Sequence, residues 1–331
     1  MNSFEYASPT TETEALGFLN DSSTRTALLA GGTDLVSLLK SDVVSPQRVV
    51  DLKNIDSLSG VEKTDDGISI GALTTLEDMQ MHPLVKDYTS LLDIIDETRS
   101  IQLQSTGTLG GDLCHLPNCW YYRNGYGILG MENGTSLVEE GDNRYHAILG
   151  NQGPAKFVNA SRFAPALMSY DAQLRILGPD KNREEIVPIS SFYISPKTNR
   201  QGNTILKPGQ FVSHVLIPNT RGIHSASYEM MQMEGLDWPL GAAAVCLELN
   251  GHVVRNVRMT MGHVAPIPWV AEEASRFLVG RDLDESSAER AGEIAVANAT
   301  PLSMNDYKVQ IAKTVVKRAL LKSASLLEEG L

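Results

Sequence analysis

Only three cysteines, Cys114, Cys119 and Cys246, occur in 331 residues. That is too few for a disulfide framework, and the odd count fits free thiols in a reducing, cytoplasmic compartment. Positive charge is also short. The chain has 28 Lys and Arg against 40 Asp and Glu, a net charge of −12, which argues against nucleic acid or an anionic membrane as a partner. No apolar run approaches the roughly 18 residues of a membrane span. The start, Met1-Asn2-Ser3-Phe4-Glu5-Tyr6, lacks a basic region followed by an apolar stretch, so no signal peptide is expected. Ser-His-Asp spacing, paired catalytic carboxylates and H-E-x-x-H are missing, which leaves hydrolase chemistry without residues. The dinucleotide fingerprint G-x-G-x-x-G and the P-loop are missing too, setting aside the usual nicotinamide and ATP sites.

What the chain does have is two paired-glycine corners, Leu28-Leu29-Ala30-Gly31-Gly32-Thr33-Asp34-Leu35 and Thr106-Gly107-Thr108-Leu109-Gly110-Gly111-Asp112-Leu113. Each is expected to gather bare backbone N–H groups where a Cβ would obstruct a ligand, an arrangement suited to a diphosphate. Around the first, Thr26-Ala27-Leu28-Leu29 reads as a short buried strand and Leu35-Val36-Ser37-Leu38-Leu39-Lys40 as an amphipathic helix. Arg48-Val49-Val50-Asp51-Leu52 is the next strand, closing a βαβ unit. Loop N–H groups and the positive helix end then point at one spot, favouring an anion without a lysine. Tight-turn sterics alone are the competing account of both corners.

Further along, Thr11 to Leu19 reads as a helix and Gly67 to Leu73 as a strand, and Thr74 with Glu77 has capping-box spacing for a helix that Pro83 ends. Leu91 to Thr98 is helical. From Cys114 to Gly153 the periodicity weakens, which reads as a long surface excursion. Ala164 to Met168 resumes a helix and Ala172 to Leu177 a strand. Two apolar runs, Gly241 to Leu249 and His252 to Met261, flank Asn250-Gly251 and form a hairpin. Helices over 271–279, 285–299 and 307–327 follow, with Thr300-Pro301 as a break. At strand spacing Met231 and Met233 would share a face, in a core or a subunit interface.

The order Ala30-Gly31-Gly32-Thr33-Asp34-Leu35, Thr108-Leu109-Gly110-Gly111-Asp112-Leu113, Tyr228 ahead of Gly241-Ala242-Ala243, and Met261-Gly262-His263-Val264-Ala265-Pro266-Ile267-Pro268 resembles the FAD-binding medium subunit of molybdenum hydroxylases. That family includes xanthine dehydrogenase, carbon monoxide dehydrogenase and aldehyde oxidoreductase. The resemblance spans nearly the whole chain. It implies an α+β fold: two small α/β FAD-binding subdomains (1–55, and 56–187 with the excursion 114–153), then a C-terminal antiparallel sheet with helices (188–331). It also implies that Ala30, Gly31, Gly32, Thr33, Asp34 and Leu35, with Thr106, Gly107, Thr108, Gly110, Gly111 and Asp112, hold the FAD diphosphate, and that Leu28 and Leu29 belong to the same cofactor-binding site. In the family, electrons come from iron–sulfur clusters on a small subunit after a molybdenum-cofactor large subunit has hydroxylated the substrate. They leave the flavin for NAD or another carrier. No residue here is expected to be catalytic or to bind a metal, because the redox chemistry belongs to the cofactor.

Several positions depart from the family pattern. The second loop usually ends Gly-Gly-Asn and here ends in Asp112; a Ser-Asp pair near the flavin appears as Ser161-Arg162; and the basic residues usual after the tyrosine are replaced across Glu229-Met230-Met231-Gln232-Met233. These departures motivate a second reading, an FAD-free structural or docking subunit. A free-standing flavin oxidase has no recognisable substrate pocket in its favour. Some relatives bind a four-iron cluster through four cysteines in the excursion; Cys114 and Cys119 alone do not complete one. His115, just past Asp112, reads either as a ribityl or flavin contact or as a structural histidine. Trp120-Tyr121-Tyr122 reads as a stacking surface or as loop packing, and Asp237-Trp238 as an approach to the flavin edge.

Overall fold

A computed structural model describes residues 1–21, 24–180, 183–233 and 237–326. Thr11 caps the helix Glu12–Leu19 by accepting the Glu14 N–H. The strands Thr26–Leu29 and Arg48–Asp51 then pair in parallel, with the helix Leu35–Lys40 between them, which is the expected βαβ unit. A short strand that the sequence did not signal, Glu5–Ala7, adds to the other side of Arg48–Asp51. Val49 and Val50 are thereby central and buried, as β-branched residues in a parallel strand tend to be.

The second sheet is antiparallel and has the order Val61–Lys63, Gly67–Gly71, Phe211–Pro218, Gln173–Leu177, Glu184–Pro188. The helices Leu76–Met81, Thr89–Glu97 and Ala164–Ser169 share its core. Phe211–Pro218 is central here, and the next sheet begins only at His224, so a boundary near 188 divides the strands of one sheet. The helix cap also lies one residue later than its spacing predicts. Thr75, not Thr74, accepts the Asp78 N–H, because the buried Thr74 hydroxyl is already bonded to both backbone groups of Gly60 at 3.0 Å.

The third sheet joins His224–Met230, Gly241–Asn250, Val253–Gly262 and Trp269–Val270, all antiparallel. Its hairpin turns at Asn250-Gly251, where Gly251 has φ +63°. Along Gly241–Asn250 the side chains alternate between two cores. Ala243, Val245 and Leu247 meet the helices Glu285–Ala295 and Tyr307–Ser323, whereas Ala244 and Cys246 enter the core of the second sheet. Two-sided burial explains why that strand is apolar from Gly241 to Leu247, and it fixes the C-terminal unit against the middle one. The expected α+β arrangement is therefore present. The strand before it ends at Met230, so Met231 and Met233 form no strand face. Leu327, the expected end of the last helix, lies outside the described residues.

The 114–153 segment is not a surface excursion. Ile128, Leu129, Ala147, Ile148 and Leu149 are buried. Asn143 bonds Ser303 and the Met304 N–H, while the buried Lys308 ammonium donates to the carbonyls of Tyr145, His146 and His263 at 3.3, 3.1 and 2.8 Å. The ties from Asn143, Tyr145 and His146 reach partners 160 or more residues away, and hydrophobic periodicity carries no trace of them. Among the described residues no helix is long and apolar enough to cross a membrane.

Burial sets an acid limit on this packing. Desolvation foremost, with nearby positive charge, pushes His146 from its usual 6.5 down to about 4 and His263 down to about 3. The unfolded chain binds these protons first, so their stabilisation is complete above about pH 6.5 and drains as pH falls toward 4. The expected result is a melting temperature lower by roughly 5 °C or more at pH 4.5 than at pH 7, with a smaller drop in His146→Gln. A melting temperature independent of pH across that range would contradict the assignment.

Candidate functional site

The strand Thr26–Leu29 delivers the first glycine corner to one end of the parallel sheet. Among the described residues, the N–H groups of Gly31, Gly32, Thr33 and Asp34 reach no protein acceptor, and these residues line a cavity of about 560 Å³. Gly32 sits at φ +79°, a left-handed backbone that suits glycine. At Gly31 the reason is contact: a Cβ would lie 1.7 Å from the Thr106 carbonyl oxygen. The two glycine segments touch each other there, so this glycine clears room for chain rather than for ligand.

The second corner differs from the expectation. It is a short helix, Leu109–Leu113, capped by Thr108 and preceded by an unanticipated helix, Ile101–Thr106. Its N–H groups are already used. Leu109 and Gly110 donate to the Thr74 and Ala72 carbonyls at 3.1 and 2.8 Å, Gly111 to the Thr108 hydroxyl at 3.2 Å, and Asp112 to the Thr108 carbonyl at 2.9 Å. A Cβ on Gly110 would lie 2.6 Å from that of Ala72. The segment docks against the end of Gly67–Gly71 and forms a cavity wall, not a second row of bare donors.

Of the expected residues, Leu28, Ala30, Gly31, Gly32, Thr33, Asp34, Leu35, Gly107, Thr108, Gly110, Gly111, Asp112, His115 and Arg162 line the cavity. Leu29 is held in the ladder, Thr106 presents its carbonyl to Gly31, and Ser161 is buried behind the wall. The remaining walls are largely apolar, from Leu38, Leu52, Leu73, Leu76, Leu103, Leu206 and Phe211. Trp238 closes one side with its ring edge-on to His115, centroids 4.8 Å apart. Burial holds the His115 pKa below its usual value, against the pull of Asp34, which favours a neutral imidazole.

The departures from the family pattern have partners. Asp112 accepts the Ser161 hydroxyl and the N–H groups of Arg162 and Phe163, both at 3.1 Å. Burial raises its pKa while those donors oppose the rise. Arg162 forms an ion pair with Glu229, whose side chain is only 2% exposed, and donates to the Thr98 hydroxyl at 2.6 Å. Glu229, which in the sequence reads as a lost basic position, is the counter-charge of Arg162. The signal was the paired change at 162 and 229, one site gaining positive charge and the other negative.

Among the described residues no group of three or more His, Cys, Asp or Glu could hold a metal ion. Cys119 is instead 3.1 Å from His146 Nε2. A second, more open cleft of about 730 Å³ lies by Asp93 and Lys322. Those two charges already pair at 2.8 Å.

Fold and cavity together define a class: an α+β protein with a largely apolar cavity against a glycine loop. Two domain models cover nearly all of the chain. Residues 2–220 match the FAD binding domain in molybdopterin dehydrogenase and residues 226–323 the CO dehydrogenase flavoprotein C-terminal domain, so the chain belongs to the FAD-binding medium subunits of the molybdenum hydroxylases. It is similar to the carbon monoxide dehydrogenase medium chain of Hydrogenophaga pseudoflava, 24% identical with 96% of each chain covered. It is also similar to the aldehyde oxidoreductase FAD-binding subunit PaoB of Escherichia coli, 26% identical over 89% of this chain and 90% of that one. Its fold matches a chain of quinoline 2-oxidoreductase from Pseudomonas putida 86 with a TM-score of 0.77 at 23% identity, covering 99% of both. The chain is thus an oxidoreductase subunit, and its cofactor is FAD.

Proposed function

We propose that this chain carries electrons from the iron–sulfur clusters of a small partner subunit to an acceptor, NAD or another carrier, within a cytoplasmic complex whose molybdenum-cofactor large subunit hydroxylates the substrate. Bound FAD supplies the redox centre. The observation that carries the reading is the row of four N–H groups at residues 31–34 that reach no acceptor among the described residues, in a loop lining a cavity with largely apolar walls. Such a donor row suits a diphosphate and such walls suit the adenine and flavin rings, and about 560 Å³ is a volume typical of cofactor sites. The second glycine segment shapes the wall, with Thr108, Gly110 and Gly111 at the cavity surface. Of the two residues that motivated the FAD-free reading, Arg162 is neutralised by Glu229, and the Asp112 carboxylate is held by the Ser161 hydroxyl and the N–H groups of Arg162 and Phe163, so neither takes its partners from the cavity. The chain is divided here into 1–55, a middle unit that includes the central strand Phe211–Pro218, and a C-terminal unit from His224.

Purification of the affinity-tagged chain from its native source, with metal analysis, tests the assembly. Molybdenum and iron co-purifying in fixed ratio with the chain are expected. A chain that emerges without either metal while retaining FAD would contradict the proposed partners.

A further inference from the structure

The segment Trp120–Arg123, which the cofactor site does not explain, holds a cation whose place in the fold is informative. Arg123 lies 89 residues from Asp34 in sequence, and its Nη1 is 2.5 Å from the Asp34 carboxylate. Its other two nitrogens donate to backbone carbonyls, Nε to Pro117 at 3.0 Å and Nη2 to Leu116 at 3.1 Å. The guanidinium fork is thus fixed on its own segment and presents one remaining arm to the glycine loop. Both side chains are about four-fifths buried, with 21% and 19% exposure. His115 Nε2 is 3.6 Å from the same carboxylate, but burial favours its neutral form, so Arg123 supplies the full positive charge.

Asp34 is the acid carried by the loop whose N–H groups face the cavity. An unpaired carboxylate there would repel the two negative charges of a diphosphate and compete for the same donors. A paired one is neutralised by Arg123. We propose that Arg123 is a positioning residue for the anion cradle: it neutralises Asp34 and ties the 31–34 loop to the Leu116 and Pro117 backbone, so that the loop can receive a diphosphate. This inference rests on the FAD reading above, and its test separates the two.

The experiment titrates FAD into flavin-depleted full-length chain and follows quenching of flavin fluorescence at low and high salt. Wild type, Arg123→Gln, Asp34→Asn and the double variant are compared. Arg123→Gln is expected to bind on the order of 10- to 100-fold more weakly, and to recover partly at high salt, which partly screens the unpaired Asp34 charge. The double variant is expected to return to within about threefold of Asp34→Asn, because the repelling charge is gone. Wild-type affinity in Arg123→Gln, or a double variant as weak as Arg123→Gln, would overturn the role assigned to Arg123 and leave the FAD reading standing. Failure of wild type to bind FAD would overturn both. Should Arg123→Gln not fold, Asp34→Asn against the double variant decides: similar affinities support the proposal, and a double variant more than about tenfold weaker overturns it.

Discussion

Gly31→Ala is expected to purify without flavin. The added Cβ would sit 1.7 Å from the Thr106 carbonyl oxygen and 2.7 Å from its carbonyl carbon. Both are backbone atoms, so no rotamer change relieves the clash. Either the 31–34 loop or the end of the helix Ile101–Thr106 must move by more than an ångström, and both border the cavity. Overpacking of this kind costs about 1–3 kcal/mol where side chains can adjust, and rigid backbone on both sides places this site at the upper end. Gly32→Ala is the informative comparison. Its nearest neighbours would be side-chain carbons of Leu29 and Val36 at 3.2 and 3.3 Å, and the main penalty is the left-handed backbone, roughly 1–2 kcal/mol. It should keep part of its FAD, as the ratio of flavin to protein absorbance after desalting would show. Full flavin occupancy in Gly31→Ala would mean that the two glycine segments do not meet as described.

The second large effect is expected at Glu229. Truncation to alanine leaves Arg162 without its carboxylate in a site where its side chain is only 12% exposed. Breaking a buried ion pair from one side typically costs about 3–5 kcal/mol, which for a chain of this size lowers the melting temperature by roughly 5–10 °C. Replacing both members, Arg162→Leu with Glu229→Leu, should recover much of that loss, because no buried charge is stranded. Calorimetry on the singles and the double checks this. A double variant as unstable as Glu229→Ala would show that stability depends on the pair itself rather than on avoiding an orphaned charge.

Local chemistry made much of the fold legible. The βαβ unit around Gly31 is written in a short apolar strand, a six-residue amphipathic helix and a β-branched strand. The C-terminal hairpin is written in Asn250-Gly251 between two apolar runs. Both are formed by residues adjacent in sequence, where periodicity and turn preference act. The second glycine motif shows the limit: its Gly-Gly pair looks like the first, yet Gly110 is small so that it can dock on Ala72. Nothing within Thr108-Leu109-Gly110-Gly111 states that its donors are consumed by Thr74 and Ala72. The electrostatics of the site lie further out of reach, since Arg162 meets Glu229 across 67 residues and Asp34 meets Arg123 across 89. Each looks alone in the sequence like an unbalanced charge beside a cofactor, and each is balanced by the tertiary fold. The burial of the 114–153 segment escaped for the same reason, being held by Asn143 and Lys308 contacts with distant backbone.

The central claim is that the cavity behind Gly31 is an FAD site, and the absorption spectrum of the purified, desalted chain tests it most directly, followed by chromatographic identification of what denaturation releases. The account predicts a flavin spectrum and FAD in equimolar amount with the chain. A folded chain that shows no flavin spectrum, and acquires none when incubated with excess FAD, would contradict it.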